Sequence, residues 1–309
     1  MNDASTATLR AEALRGLRAA PKTLPPKLFY DERGADLFVR ITELPEYYPT
    51  RAELEILGRR APEIAAALGP GVALLEYGSG EGVKVRLLLD ALDRPAAYVP
   101  IDIAGEQLEE MAREMGAEYP HVAVAPLWAD YTGPLTLPPL PENARRVAFF
   151  PGSTIGNFHP DEARAFLRRV RRAVGPGGAL VLGADLRKDP LVLHAAYNDA
   201  AGVTAEFNLN VLARLNRELG ADFDLSCFRH YAYYNPVVGR VEMHLVSLCR
   251  QTVTVAGEEV FLERGETIWT ESSYKYGPAD LEALAAGAGF HVSRAWEDEG
   301  GMFVVALLE

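Results

Sequence analysis

At 309 residues the chain is long for one core, and a prior of about 150 residues per domain points to two. It is 49% hydrophobic and 24% charged, which excludes wholesale disorder, and 31 basic against 43 acidic residues, net -12, argue against a nucleic-acid binder with a basic face. No run reaches the roughly 20 apolar residues of a membrane span, residues 1–20 lack a signal-peptide core, and Cys227 and Cys249 lack metal-ligand spacing. A reduced, cytoplasmic, monomeric protein with no membrane or nucleic-acid partner is expected.

Leu9, Leu14 and Leu17 predict a helix over 7–17, broken by the proline-rich stretch 21–27 that leads into Leu28-Phe29-Tyr30-Asp31. Helical spacing returns over 52–68. An alternation follows: strands over 72–77, 97–103, 121–128, 145–150 and 179–185, with helices over 84–92, 106–115 and 161–174. Strands alternating with helices imply parallel pairing through right-handed crossovers, a doubly wound α/β sheet. After Arg187 the rhythm changes. Helices are expected over 191–197 and 204–219, then strand-like runs over 241–255 and 259–262, too close together for crossover helices. A helix over 279–288 and strands over 290–296 and 303–308 complete the first sheet. The expected organisation is an α/β domain, 52–187 with 276–309, interrupted by a smaller α+β domain, 1–51 with 188–275.

The strongest local constellation is Glu76-Tyr77-Gly78-Ser79-Gly80-Glu81-Gly82, between a predicted strand and a predicted helix. Glycines there let the backbone approach a ligand, and the helix start offers N–H groups. Asp102 ends the next strand, where an acid can accept from both hydroxyls of a ribose. Asp130 follows the third strand beside Trp128 and Tyr131; it can read an adenine amino group or simply cap a turn. Val83 stands where a dinucleotide fingerprint needs its third glycine, and no Gly-Lys-Ser/Thr exists for a P-loop. Gly-x-Gly-x-Gly after an acid is instead the form of S-adenosylmethionine-dependent methyltransferases.

Several strings are more specific: Leu24-Pro25-Pro26-Lys27-Leu28-Phe29-Tyr30-Asp31, Leu44-Pro45-Glu46-Tyr47-Tyr48-Pro49-Thr50-Arg51 and Gly152-Ser153-Thr154-Ile155-Gly156-Asn157. To these add Tyr197-Asn198-Asp199-Ala200-Ala201-Gly202-Val203-Thr204, Asn216-Arg217-Glu218-Leu219 and Thr270-Glu271-Ser272-Ser273. Together they resemble the histidine-specific methyltransferases of ergothioneine biosynthesis over nearly the whole chain. The resemblance implies a Rossmann-like core with a substrate-recognition domain, and three successive methyl transfers from S-adenosylmethionine to the α-amine of L-histidine, giving hercynine and S-adenosylhomocysteine. It implies that Gly78, Lys84, Asp102, Asp130, Tyr131 and Gly152 line the cofactor site. Tyr30, Tyr47, Asn157, Tyr197, Met243, Glu271 and Ser273 would line the histidine site, with Tyr30 and Asn157 handling the amine. Tyr77, Gly82 and Val83 depart from the family pattern, with cofactor packing as the expected consequence, and Asn198 departs with substrate affinity as its consequence.

Asn157 can orient the amine through its amide oxygen, or cap the helix beginning near 161. Met243 can wall the imidazole or serve the core. Glu271 and Ser273 alternate on an extended segment, so their side chains share a face and can engage two imidazole nitrogens. The six histidines show no metal-ligand spacing, so no metal is expected. Two rivals remain at this stage: methylation of another amino acid such as tryptophan, and a non-catalytic adenosyl-nucleotide binder.

Overall fold

The computed structural model describes residues 3–309, with side chains from Thr6 onward. The chain divides into two compact units, Met1–Tyr48 with Lys188–Tyr274, and Pro49–Arg187 with Lys275–Glu309.

Numbered along the chain, the larger unit holds strands β2 (Val72–Tyr77), β3 (Ala97–Asp102), β4 (Ala123–Val124), β5 (Leu127–Trp128), β6 (Arg145–Phe150), β7 (Ala179–Asp185), β13 (Val292–Glu297) and β14 (Phe303–Leu308). Its helices are α3 (Pro49–Leu68), α4 (Val83–Ala91), α5 (Gly105–Glu118), α6 (Pro160–Val174) and α9 (Pro278–Ala286). The sheet order is β13-β14-β7-β6-β2-β3-β4, with β5 also paired to β3. The strands β2 to β7 pair in parallel, and β14 runs antiparallel to both β7 and β13. This is the doubly wound architecture expected. Its central strands are covered on both faces: every residue of β2 and β7 is buried, as parallel strands between helices must be. Ile56, Leu57, Ile64 and Leu68 of α3 pack with Leu74, Leu88, Tyr98, Met115, Phe149 and Phe303 in one core.

The smaller unit holds α1 (Asp3–Leu17), β1 (Lys22–Thr23), α2 (Glu32–Thr42), α7 (Pro190–Tyr197), α8 (Val203–Leu219), β8 (Phe228–Asn235), β9 (Arg240–Ser247), β10 (Gln251–Val255), β11 (Glu258–Leu262) and β12 (Thr267–Tyr274). Its main sheet runs β1-β12-β9-β8, and β10–β11 form a separate antiparallel hairpin. Helices α7 and α8 lie against β8 and β9.

Two local expectations are corrected, and two elements, α2 and β8, were not expected. The strand predicted over 121–128 is two short pieces, β4 and β5, because Pro126 between them has no N–H for the ladder. The run 241–255 is not one strand: it bends at Leu248 and Cys249, where Ser247 Oγ donates to Cys249 O at 2.8 Å, and β9 and β10 belong to different sheets. Helix α2 follows the Leu28-Phe29-Tyr30-Asp31 cluster, capped by Asp31, whose Oδ1 accepts from Gly34 N at 2.7 Å. Strand β8 was hidden because Arg229, His230 and Asn235 interrupt its apolar pattern. No described helix is long and apolar enough to cross a membrane.

Candidate active site

In the larger unit β2 has β3 on one side and β6 on the other, so the strand order reverses at β2. The loops leaving β2 and β6 at their carboxyl ends therefore diverge and open a crevice, the usual ligand position in such sheets. Gly78 follows β2 at φ +75°, where a Cβ would sit 3.7 Å from Tyr131 Oη. Gly152 follows β6, also in the left-handed region, at φ +78°. Lys84 stands in the first turn of α4, next to the loop. Asp102 ends β3, and its Oδ1 accepts from Ala104 N at 3.0 Å. Asp130 is exposed, and its Oδ1 accepts from the backbone N (2.9 Å) and Oγ1 (2.6 Å) of Thr132, so it does cap a turn with one oxygen. Tyr131 packs edge-on against Tyr77 and Phe150, with centroids at 6.1 and 5.9 Å.

Electrostatics at this crevice are set by buried acids. Burial pushes the Glu76 carboxyl up to about 8, although the Tyr98 hydroxyl donates to it. Glu53, on α3, is fully buried and pairs with Lys84 Nζ at 2.6 Å. The departure Tyr77 belongs to an aromatic cluster with Phe166 (5.5 Å) and Phe150 (6.3 Å), and burial raises its hydroxyl to about 12. Gly82 caps α4 from the left-handed region, and Val83 points to solvent.

The turn after Gly152 is tightly held. Ser153 adopts φ +56°, unusual for a residue with a Cβ, and its Oγ accepts from Asp185 N at 2.9 Å. Asn157 ends the 3-10 turn Thr154–Asn157, whose Ile155 carbonyl accepts from Tyr276 Oη at 3.2 Å. Helix α6 begins later: its N-cap is His159, with Glu162 returning to His159 N at 2.9 Å. The capping role weighed for Asn157 is thus filled by His159.

In the smaller unit, α7 and β12 meet where Tyr197 Oη donates to Ser273 Oγ at 2.8 Å. Met243 on β9 stands directly opposite Glu271 on β12, and Ser273 stands opposite Val241. Directly opposed residues of antiparallel strands point to the same face, so Met243, Glu271 and Ser273 form one surface with Tyr197 against it. Met243 is buried and Glu271 half-buried. Tyr30 and Tyr47 gather elsewhere in this unit, both edge-on to Phe38 of α2 at 5.8 and 6.3 Å. Helix α8 joins the two groups: Phe207 lies 5.9 Å from Tyr30, while the next residue, Asn208, faces the sheet. Asn198 turns its amide to the carbonyls of His194 (2.9 Å) and Ala232 (3.1 Å), so it ties α7 to β8.

Four functional supports were not found in the sequence. Phe38 holds the two tyrosines, and its i, i+3 spacing with Ile41 was the available signal. Asn208 accepts from Thr270 Oγ1 (2.7 Å) and bonds His230 Nδ1 (2.9 Å), while His230 Nε2 bonds the Tyr197 carbonyl (2.8 Å). Burial lowers the His230 pKa, which fits a neutral ring with its proton on Nε2, the tautomer this network assigns. The fourth is Glu53, which no motif marks. Among the described residues no group of three or more His, Cys, Asp or Glu side chains is placed to hold a metal ion.

Residues 9–309 match the family described as histidine-specific, S-adenosylmethionine-dependent methyltransferases. The chain belongs to that family. It is 44% identical over 310 residues, 99% of this chain and 96% of the relative, to Histidine N-alpha-methyltransferase of Mycolicibacterium smegmatis. It is 33% identical over 93% of its length to Ergothioneine biosynthesis protein 1 of Neurospora crassa, a longer protein of which it spans 33%. Among solved structures it is similar in fold to an S-adenosylmethionine-dependent methyltransferase from Clostridium acetobutylicum, with TM-score 0.50, 11% identity, and 89% and 98% of the two chains covered. The adenosyl donor, the methyltransferase class and histidine as substrate follow from membership.

Proposed function

We propose that this enzyme places three methyl groups in succession on the α-amine of free L-histidine, giving hercynine for ergothioneine biosynthesis. The observation that carries this is the 44% identity, along nearly the full length of both chains, to a protein named for N-alpha methylation of histidine. We further take it to work as a monomer in the cytoplasm.

The donor residues of the larger unit fit an adenosyl sulfonium by chemistry. Asp102 suits a ribose diol, Asp130 and Tyr131 suit an adenine, and Lys84 suits the carboxylate of the methionine end. Gly78 and Gly152 leave open the space that a Cβ would fill. When bound, the sulfonium supplies an already activated methyl group, so the protein's task is orientation and proton management. Glu271 and Ser273 engage the two imidazole nitrogens, with Met243 against the ring. Tyr47 and Tyr197 hold the amino-acid end. Asn157 and Tyr30 align the amine, which must lose its proton before each transfer; water takes that proton as readily as either side chain.

The test is mass spectrometry of products after incubation with S-adenosylmethionine and each of the twenty amino acids. Trimethylated histidine as the dominant product is expected. A stop at one or two methyl groups would overturn the count, and preference for tryptophan would overturn the imidazole assignment.

A further inference from the structure

Glu53 lies outside every motif that marks the donor residues, yet it touches two of them. Its carboxylate is fully buried, with Lys84 Nζ 2.6 Å from Oε2 and Gly152 N within 3.0 Å of Oε1 and 2.9 Å of Oε2. Space for it is made by Gly183 in the middle of β7, where a Cβ would overlap Glu53 Oε1. Burying an acid is costly unless it is paired and hydrogen-bonded, and this one is both. Lys84 is its cation, and that side chain stays 20% exposed, whereas the Glu53 side chain is wholly buried. A Cβ at Gly152 would lie 3.5 Å from Lys84 Nζ, which puts the loop after β6 and the lysine after β2 side by side.

We propose that Glu53 is a positioning residue for the methyl donor: it fixes the Lys84 ammonium where that ammonium receives the donor's amino-acid carboxylate, and it holds the Gly152 backbone beside it through the Gly152 N–H. This rests on the reading of Lys84 and Gly152 as donor residues. The assignment to that end of the donor follows from charge. Ribose and adenine are uncharged and have Asp102 and Asp130 near the ends of β3 and β5, whereas only a carboxylate calls for a lysine. A lysine free to rotate loses much of its contribution to binding when it must be ordered by the ligand. Glu53 orders it beforehand.

Calorimetric binding of S-adenosylhomocysteine and of 5′-methylthioadenosine, which lacks the amino-acid end, distinguishes positioning from general support. Glu53→Gln keeps an acceptor for Gly152 N but removes the charge. It is expected to weaken S-adenosylhomocysteine about tenfold while leaving 5′-methylthioadenosine within about twofold. Added to Lys84→Met, it is expected to cost S-adenosylhomocysteine nothing more. Equal weakening of both ligands, no weakening of either, or a full additional loss in the double variant would overturn the proposal. Should Glu53→Gln fail to fold, Gly183→Ala displaces the same carboxylate and must show the same selective loss. An unchanged S-adenosylhomocysteine affinity in Lys84→Met alone would instead overturn the assignment of Lys84 to the donor.

Discussion

The Tyr197 hydroxyl donates to Ser273 Oγ at 2.8 Å, a bond that ties the end of helix α7 to strand β12. Both side chains are buried, so the bond is made away from water and links Tyr197, expected at the amino-acid end of the substrate, to the strand that carries Glu271 and Ser273 of the expected imidazole site. Tyr197→Phe and Ser273→Ala are each expected to lower unfolding free energy by about 1 kcal/mol, and the double variant by less than the sum. A urea-denaturation double-mutant cycle measures the coupling. Full additivity would show that the bond contributes nothing to holding α7 on β12.

Glu271 faces the same way as Met243 and carries the charge of that surface. Glu271→Ala is expected to lower histidine binding by about 1.5–3 kcal/mol, the range for a bond to a charged acceptor, and to leave S-adenosylhomocysteine binding near wild type. Calorimetry with each ligand separates the two effects. An unchanged histidine affinity would remove Glu271 from the imidazole site.

Glu76 gives a pH signature. Burial raises its pKa from the ordinary 4.5 to about 8, so the folded state holds this proton more tightly than the unfolded chain. Its contribution to stability is complete below 4.5, falls as pH rises, and is lost once pH passes about 8. Unfolding free energies of wild type and Glu76→Gln, compared across about pH 5 to 8, are expected to converge as pH rises if wild type starts higher, because only the wild type carries the slope. Parallel profiles would mean that Glu76 is ionised in the folded protein.

Ser153 combines a left-handed backbone with a hydrogen bond from Asp185 N. Alanine there keeps the strain and loses the bond; glycine loses the bond but relieves the strain. Ser153→Ala is therefore expected to be less stable than Ser153→Gly by about 1 kcal/mol, read from urea midpoints. If the two variants are equally stable, the backbone at this turn stores no strain.

The doubly wound sheet was legible because its signals are local: β2, β6 and β7 are short apolar runs, with glycine in the loops after β2 and β6 and an acid, Asp185, closing β7. The glycines after β2 and β6 and the acid ending β3 could be placed for the same reason. Strand β8 was not legible because Arg229, His230 and Asn235 break its apolar pattern, and helix α2 was not legible because its cap, Asp31, is held by partners far away in sequence. Asp31 shows this well. Despite burial, which acts the other way, bonds from Gly34, Arg217 and Asn210 hold its carboxyl below the usual range, and the latter two come from α8. Glu53 was invisible for a similar reason: in α3 it reads as one more charged helix residue, and only Lys84, Gly152 and Gly183 reveal its use. The Met243–Glu271 juxtaposition likewise required the register of β9 on β12, which includes an irregularity between Trp269 and Glu271 that no spacing rule supplies.

Strand β1 pairs in parallel with β12, Lys22 with Ile268 and Thr23 with Trp269, and Leu24 N continues the contact to Trp269 O at 2.8 Å. Those partners are joined by a chain that first builds most of the larger unit. Pairing so remote in sequence carries a high loop-closure cost and forms late, which predicts slow acquisition of the smaller unit during refolding. Until it forms, the outer edge of β12 offers unpaired N–H and C=O groups to any neighbouring molecule. The few residues of β1 thus act as a guard against edge-to-edge aggregation, and a chain lacking them would be expected to lose solubility before it loses its larger unit.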